Sequence, residues 1–167
     1  MSDRYFSEGP ICGDRAVLSG PEAHHLAHVM HAKPGSRVVL FDGSGAEFAA
    51  RVERIGRTHV ELAVLSRKEV NRELPMELAL AVPLPKGDRQ KWLVEKAVEL
   101  GVGRIIPLQT TRSVVQPRSR TIARLKRTVV EASKQCGRNR LMGIAEPQAW
   151  EAFVGATRAA SCRLLAH

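Results

Sequence analysis

The hydrophobic pattern of this chain changes period once, at the polar stretch Lys68-Glu-Val-Asn-Arg-Glu-Leu-Pro75, and a chain with two periods folds most simply as two modules. Ahead of that hinge, residues 10 to 72 read as short β segments around one helix. Arg37 to Phe41 is a β-branched apolar run, Asp42-Gly43-Ser44-Gly45 is a turn signal, and Glu47 to Arg54 continues as a partly alternating strand. Thr58 to Leu65 alternates, with Val60, Leu62 and Val64 on one face. The helix is expected from Pro21 to the stop at Lys33-Pro34-Gly35. These segments predict a small β-barrel over residues 1–72.

Behind the hinge the pattern becomes alternating strand and helix. Glu77 to Leu84 is a near-continuous apolar run, as in a strand covered on both faces. A helix follows from Asp88 to Leu100, with Leu93, Ala97 and Leu100 as its apolar stripe and Gly101 as its cap. Arg104 to Leu108 reads as a second strand. The next helix starts at Ser119 and keeps Ile122, Leu125, Val129, Ala132 and Cys136 on one face until Gly137 stops it. Pro147 to Val154 reads as a short helix and Cys162 to Ala166 as a buried strand. This order predicts an α/β module with a mainly parallel sheet over residues 75–167, so the expected class is α/β overall.

Charge separates the same two regions. The first 75 residues hold ten basic and ten acidic side chains, whereas Lys86 to Arg140 holds fourteen Lys and Arg against Asp88, Glu95, Glu99 and Glu131. A local excess of this size points to a polyanion, most commonly a nucleic-acid backbone. No stretch reaches the roughly 18 to 20 apolar residues that span a bilayer, and the start lacks an apolar signal core, so a cytosolic protein without membrane contact is expected. Cys12, Cys136 and Cys162 form no C-x-x-C pair and are expected as reduced packing residues.

Few motifs compete with that reading. His24, His28 and His31 share one helical face, yet no acidic or Cys partner is placed to complete a metal site, and contact with RNA phosphate or partial packing is the better expectation. There is no G-x-G-x-x-G, Walker loop or G-x-S-x-G, and aromatic side chains make up only 4% of the chain, too few for a base-stacking platform. Arg120, Arg124 and Arg127 share one helix face. Arg138 and Arg140 sit just past a helix cap, where two guanidinium groups and the two amides of Gln135 and Asn139 can converge on phosphate or base edges. Lys86 and Arg89 follow a strand at its carboxyl end, where open α/β sheets place their ligands.

Arg4-Tyr5-Phe6, His24-His25-Leu26 to Val29-Met30, Val39-Leu40-Phe41-Asp42-Gly43, Lys91 to Val102 with its Glu-Leu-Gly-Val ending, and Glu131-Ala-Ser-Lys-Gln-Cys-Gly-Arg-Asn-Arg140 occur in the order and approximate spacing of one family. In these segments the chain resembles the RsmE-type 16S rRNA uracil-N3 methyltransferases. The resemblance implies a PUA-like RNA-binding barrel, a dimeric SPOUT α/β domain with a trefoil knot that holds S-adenosylmethionine, and 16S rRNA of the small ribosomal subunit as partner. For that chemistry Arg138, in its loop beside Gln135, is the expected cationic, catalytic residue, and Arg4, Lys86, Arg89, Arg112, Arg118, Arg120 and Arg140 are expected to contact phosphate. Family members continue past the strand expected near Leu165 into a Gly-Pro-Glu-Gly-Gly-like loop and a Leu-Arg-x-Glu-Thr-Ala-like segment, which this sequence lacks. The cofactor pocket is therefore expected mainly beyond His167, and metal is not expected. Two alternatives stay open: a non-catalytic RNA-binding portion of such an enzyme, and a small-ligand α/β enzyme whose basic stretch binds a phosphorylated metabolite.

Overall fold

In the computed structural model, which describes residues 4–113, 115 and 117–166, the chain divides into two compact units. One comprises Met1–Glu73 with Val130–Leu141, the other Leu74–Val129 with Met142–His167. The sequence placed the segment 130–141 with the second region; it groups with the first.

The first unit is built on a five-stranded sheet. Its strands are β1 (Arg4–Phe6), β2 (Arg15–Ser19), β3 (Arg37–Phe41), β4 (Ala46–Ile55) and β5 (His59–Glu69), in the order β1-β3-β4-β5-β2. Only β1 runs parallel to its neighbour; the other pairs are antiparallel. Register shifts between Ala49 and Ala50 and between Val52 and Arg54 sharpen the twist of β4, and such bulges curl a sheet. The period-2 pattern explains the core. Leu18, Leu40, Phe48, Val52, Val60 and Leu62 point to one side and are all but inaccessible; each such side chain contributes about 1.5–3 kcal/mol by burial. Asp42 ties the β3–β4 turn to the preceding loop, accepting hydrogen bonds from the Ser44 and Ile11 amides at 3.0 Å each.

Helix α1 (Gly20–His24) begins where predicted but runs directly into a π turn over His25–Val29. The Met30 amide reaches the His25 carbonyl at 2.9 Å and the Ala32 amide the Leu26 carbonyl at 3.1 Å, so the expected continuous helix widens and ends before Lys33. His31 then takes φ 51°, a left-handed conformation that stops further winding.

The second unit carries β6 (Ala79–Val82), β7 (Arg104–Gln109), β8 (Gly143–Ile144) and β9 (Gln148–Ala149). All pairings are parallel: β6 and β8 flank β7, and β9 pairs with the end of β7. Helix α2 (Arg89–Glu99) connects β6 to β7, helix α3 (Ser119–Cys136) follows β7, and α4 (Trp150–Ala156) closes the order. The mixed α/β class is as predicted. Gly101 caps α2 at φ 82°, and a Cβ there would lie 2.8 Å from Leu74 Cγ, so both conformation and space require glycine.

Several expectations are corrected. The buried face of α2 is Gln90, Val94, Ala97 and Val98, while Leu100 is exposed, because the helix turns its Val-Ala-Val positions and not the Leu positions inward. Strand β6 is shorter than the apolar run and only partly covered, as befits the edge of its sheet. Residues 162–166 form no strand: no ladder partner exists for them among the described residues, and Leu164 and Leu165 are exposed. All three cysteines are free and exposed, Cys136 because it falls at the last residue of α3, where the helix face no longer meets the core. The sequence pattern did not isolate β1, which has only three residues, or β2. No helix among the described residues is long and apolar enough to cross a membrane.

Candidate nucleic-acid interface

In the second unit, β6 and β7 run parallel, so the segments that leave them emerge from the same end of the sheet. Lys86 and Arg89 follow β6, and Arg112 and Arg118 follow β7; Arg120 lies in the first turn of α3. All five are exposed, and none of them enters an ion pair among the described residues. Parallel topology therefore puts the segments that carry these five cations after the carboxyl ends of β6 and β7, the usual ligand edge of an open α/β sheet.

One buried side chain holds that edge together. Gln90 is 4% exposed; its Nε2 donates to the Pro85 carbonyl at 2.8 Å, and its Oε1 accepts from Arg124 Nη2 at 2.8 Å. This single amide fixes the loop carrying Lys86 to both α2 and α3. Ser113 organises the neighbouring loop, its hydroxyl accepting from the Thr110 amide at 2.8 Å, and so shapes the turn that presents Arg112. Arg124, which the sequence grouped with Arg120 and Arg127, is thus engaged internally.

The first unit treats its arginines differently. Arg138 is 4% exposed and forks onto Glu73, with Nε donating to Oε1 at 3.1 Å and Nη2 donating to Oε2. Arg4 is likewise engaged: Nη1 meets Glu47 at 3.0 Å, Nη2 donates to Asn139 Oδ1 at 2.6 Å and to the Gly137 carbonyl at 3.3 Å, and the guanidinium lies 5.1 Å from the centre of the Phe41 ring. Asn139, 1% exposed, donates in turn to the Val70 carbonyl at 3.3 Å, and Arg72 bridges Glu47 and the Gly137 carbonyl at 3.1 and 2.9 Å. Burial pushes the Glu47 carboxyl up, but the hydrogen bonds and charges of Arg72 and Arg4 outweigh it and hold it below its ordinary value. Gly137 takes φ 82°, turning the chain out of α3 into this network.

Of the three arginines expected here, only Arg140 is exposed. Its guanidinium packs within 3.1–3.3 Å of where a Cβ would stand on Gly45, which glycine alone permits without displacement. The structure thus brings Arg4, Arg138 and Arg140 to one loop of the first unit, and Lys86, Arg89, Arg112, Arg118 and Arg120 to one edge of the second. Of the eight it buries Arg138 and half-buries Arg4. Gln90, Glu47 and Glu73 were not found by sequence reasoning; Asn139 was, as one of the two amides placed beside Arg138 and Arg140.

The helical histidines form no metal cluster: among the described residues, no group of three or more His, Cys, Asp or Glu side chains is placed to hold an ion.

Two families of sequence match this arrangement. Residues 18–65 match the RNA methyltransferase PUA domain, and residues 72–167 match the RNA methyltransferase domain. The chain belongs to the RNA methyltransferase family. Among its relatives in that family, ribosomal RNA small subunit methyltransferase E of Bacillus subtilis is 34% identical over 99 residues, covering 59% of this chain and 39% of the relative. The protein of the same name from Synechocystis is 29% identical over 138 residues, 83% of this chain and 45% of the relative. The chain therefore spans less than half the length of these two RNA methyltransferases. A putative methyltransferase from Legionella pneumophila, solved in complex with S-adenosylmethionine, superposes with a TM-score of 0.88 at 29% identity, over 95% of this chain and 67% of that one. The ribosomal RNA small subunit methyltransferase E of Neisseria gonorrhoeae, bound to S-adenosylmethionine, gives 0.84 at 26%, over 92% and 65%.

Proposed function

We propose that this chain supplies the RNA-binding and substrate-positioning part of an S-adenosylmethionine-dependent methyltransferase that modifies N3 of a uridine in 16S rRNA. The observation that carries this reading is the conjunction, in one chain, of the PUA and methyltransferase matches with a carboxyl sheet edge crowded by unpaired cations. N3 lies on the Watson–Crick edge, so the uridine must be unpaired or turned out of its stack. It must also lose its imide proton, and cationic donors at the uracil oxygens favour the anion that forms.

S-adenosylmethionine supplies an activated methyl group when bound. The described residues offer the carboxyl edge of a parallel sheet, the right general location for such a ligand, but no side chain whose contacts assign it to the cofactor. The work of the chain's own residues is to bind and orient RNA. Lys86, Arg89, Arg112, Arg118, Arg120 and Arg140 contact phosphate in this reading. Arg4 and Arg138, both engaged by internal acceptors, act as positioning residues for the Gly137–Arg140 loop. A cationic, catalytic role for Arg138 would require its fork with Glu73 to open. A homodimer acting in the cytoplasm completes the proposal.

The test is transfer of tritiated methyl from S-adenosylmethionine to 30S subunits, paired with calorimetric titration of the cofactor alone. Cofactor binding and labelling at uridine N3 support the enzyme. RNA binding without cofactor binding by the folded chain would favour the RNA-binding portion, and competition by a phosphorylated metabolite but not by ribosomal RNA would overturn both.

A further inference from the structure

A second polar site lies in the first unit, away from the Arg4–Arg138 loop in sequence. A pocket of about 50 Å³ opens between the α1–π segment and the β4–β5 turn, and its walls carry His24, His28, His59, Arg57 and Thr58. Not one carboxylate lines it. The local folding explains how these groups meet. The π turn at His25–Val29 widens the helix and leaves the His24 and His28 rings 4.8 Å apart, tilted by 40°. Opposite them, a Cβ on Gly56 would approach His59 Cε1 at 3.1 Å and the His59 carbonyl at 3.2 Å, so glycine lets the His59 ring fold back against its own turn. Single π turns recur at functional sites, and this one costs the regularity of a short helix while adding only Leu26 and a partly buried Ala27 to the core.

We propose that this pocket seats a phosphate group of bound RNA, as a subsite of the RNA-binding surface; the inference rests on the RNA-binding part of the function proposed above. Two imidazoles, a third across the pocket, a guanidinium and a hydroxyl are donors suited to a tetrahedral anion. Imidazole is also the side chain whose charge changes between about pH 5 and 8, and an anion favours the charged form, so phosphate binding and proton uptake reinforce each other. The surrounding charges leave that coupling intact. On the helical segment Glu22 faces away, bonded to Lys134 Nζ at 2.9 Å and to the Phe6 amide at 3.2 Å, and the His25 ring lies tilted against Tyr5 with centres 5.9 Å apart. Strand β2 carries Arg15 as its one charged residue. On β5, Glu61 meets His59 Nε2 at 3.3 Å, and it is shared with Arg54 at 2.6 Å.

The experiment follows binding of a short single-stranded oligouridylate to the full chain from pH 8 to pH 6, with the imidazole NMR resonances read in parallel and inorganic phosphate as a second probe. Affinity is expected to rise as pH falls. The H24Q/H28Q double variant, which alters two exposed side chains, should lose roughly five- to tenfold in affinity at pH 6, converge on the parent at pH 8, and show a salt slope smaller by about 0.7 for the lost contact. Both probes should move the His24 and His28 resonances of the parent. An unchanged affinity and slope in the double variant, with oligouridylate still bound, overturns this subsite alone, as does movement of those resonances by inorganic phosphate but not by RNA. Loss of all RNA binding by the parent overturns the functional reading as well.

Discussion

Arg138 and Lys86 belong to the same basic stretch of sequence, and the fold treats them in opposite ways. Arg138 is buried against Glu73, in a loop where Arg4, Arg72, Glu47 and Asn139 consume one another's hydrogen-bonding capacity. Lys86, with Arg89 and Arg112, stands exposed at a sheet edge where the buried amide of Gln90 fixes backbone and leaves the cations unpaired. The difference teaches that a count of positive charge overstates the binding surface: a guanidinium engaged by an internal carboxylate brings geometry, and one left in water brings attraction for phosphate. Arg140 fits neither group fully, being exposed yet packed over Gly45.

The hardest way to break this comparison is to remove Arg138. Truncation to alanine leaves the Glu73 carboxylate, whose side chain is 21% exposed, without its forked partner, and breaking a buried pair from one side costs about 3–5 kcal/mol. Urea unfolding of Arg138→Ala measures it. A double change that removes both charges, Arg138→Met with Glu73→Leu, should recover most of the loss. A single variant that loses under about 0.5 kcal/mol would place Arg138 with the surface residues instead.

How much of this was legible in the sequence follows from the range of each signal. The β3–β4–β5 run, the α2 and α3 helices and their Gly101 and Gly137 stops are local patterns of period and punctuation, and they could be read directly. The Arg138–Glu73 pair spans 65 residues and the Arg4–Asn139 bond 135, and nothing in period or spacing announces a contact across such distances. The π turn was hidden because its residues, His25-Leu-Ala-His-Val29, suit an ordinary helix equally well. The apolar run at 162–166 misled for the converse reason: hydrophobicity marks a wish for cover, and a strand also needs a partner to pair with.

A smaller effect on stability, with a larger one on binding, is expected at the sheet edge. The triple variant K86A/R89A/R112A should stay within about 0.5 kcal/mol of the parent in urea unfolding, because surface substitutions away from structural contacts rarely exceed that. Its slope of log K against log salt for single-stranded RNA should fall by about 0.7 per lost contact, near 2 in all. An unchanged slope would remove these three from the interface and leave the comparison with only one side.

The finest distinction concerns acid. Glu47 titrates below its ordinary value of 4.5, since Arg72 and Arg4 overcome the opposing effect of burial. A carboxyl depressed on folding contributes stability that is fully present above the unfolded value and is lost as pH falls through the folded one, so the network should begin to weaken below about pH 4.5. Glu47→Gln should flatten that part of the curve of unfolding free energy between pH 5 and pH 3. It should not flatten it completely, because Asp42, held down by the Ser44 and Ile11 hydrogen bonds against its own burial, loses its contribution in the same direction. The sheet-edge triple variant, whose cations meet no carboxylate among the described residues, should follow the parent through the whole range. If Glu47→Gln also follows the parent, Arg4 is not held by Glu47 in solution; its guanidinium is then available to RNA, and the line between positioning and binding arginines has to be redrawn around it.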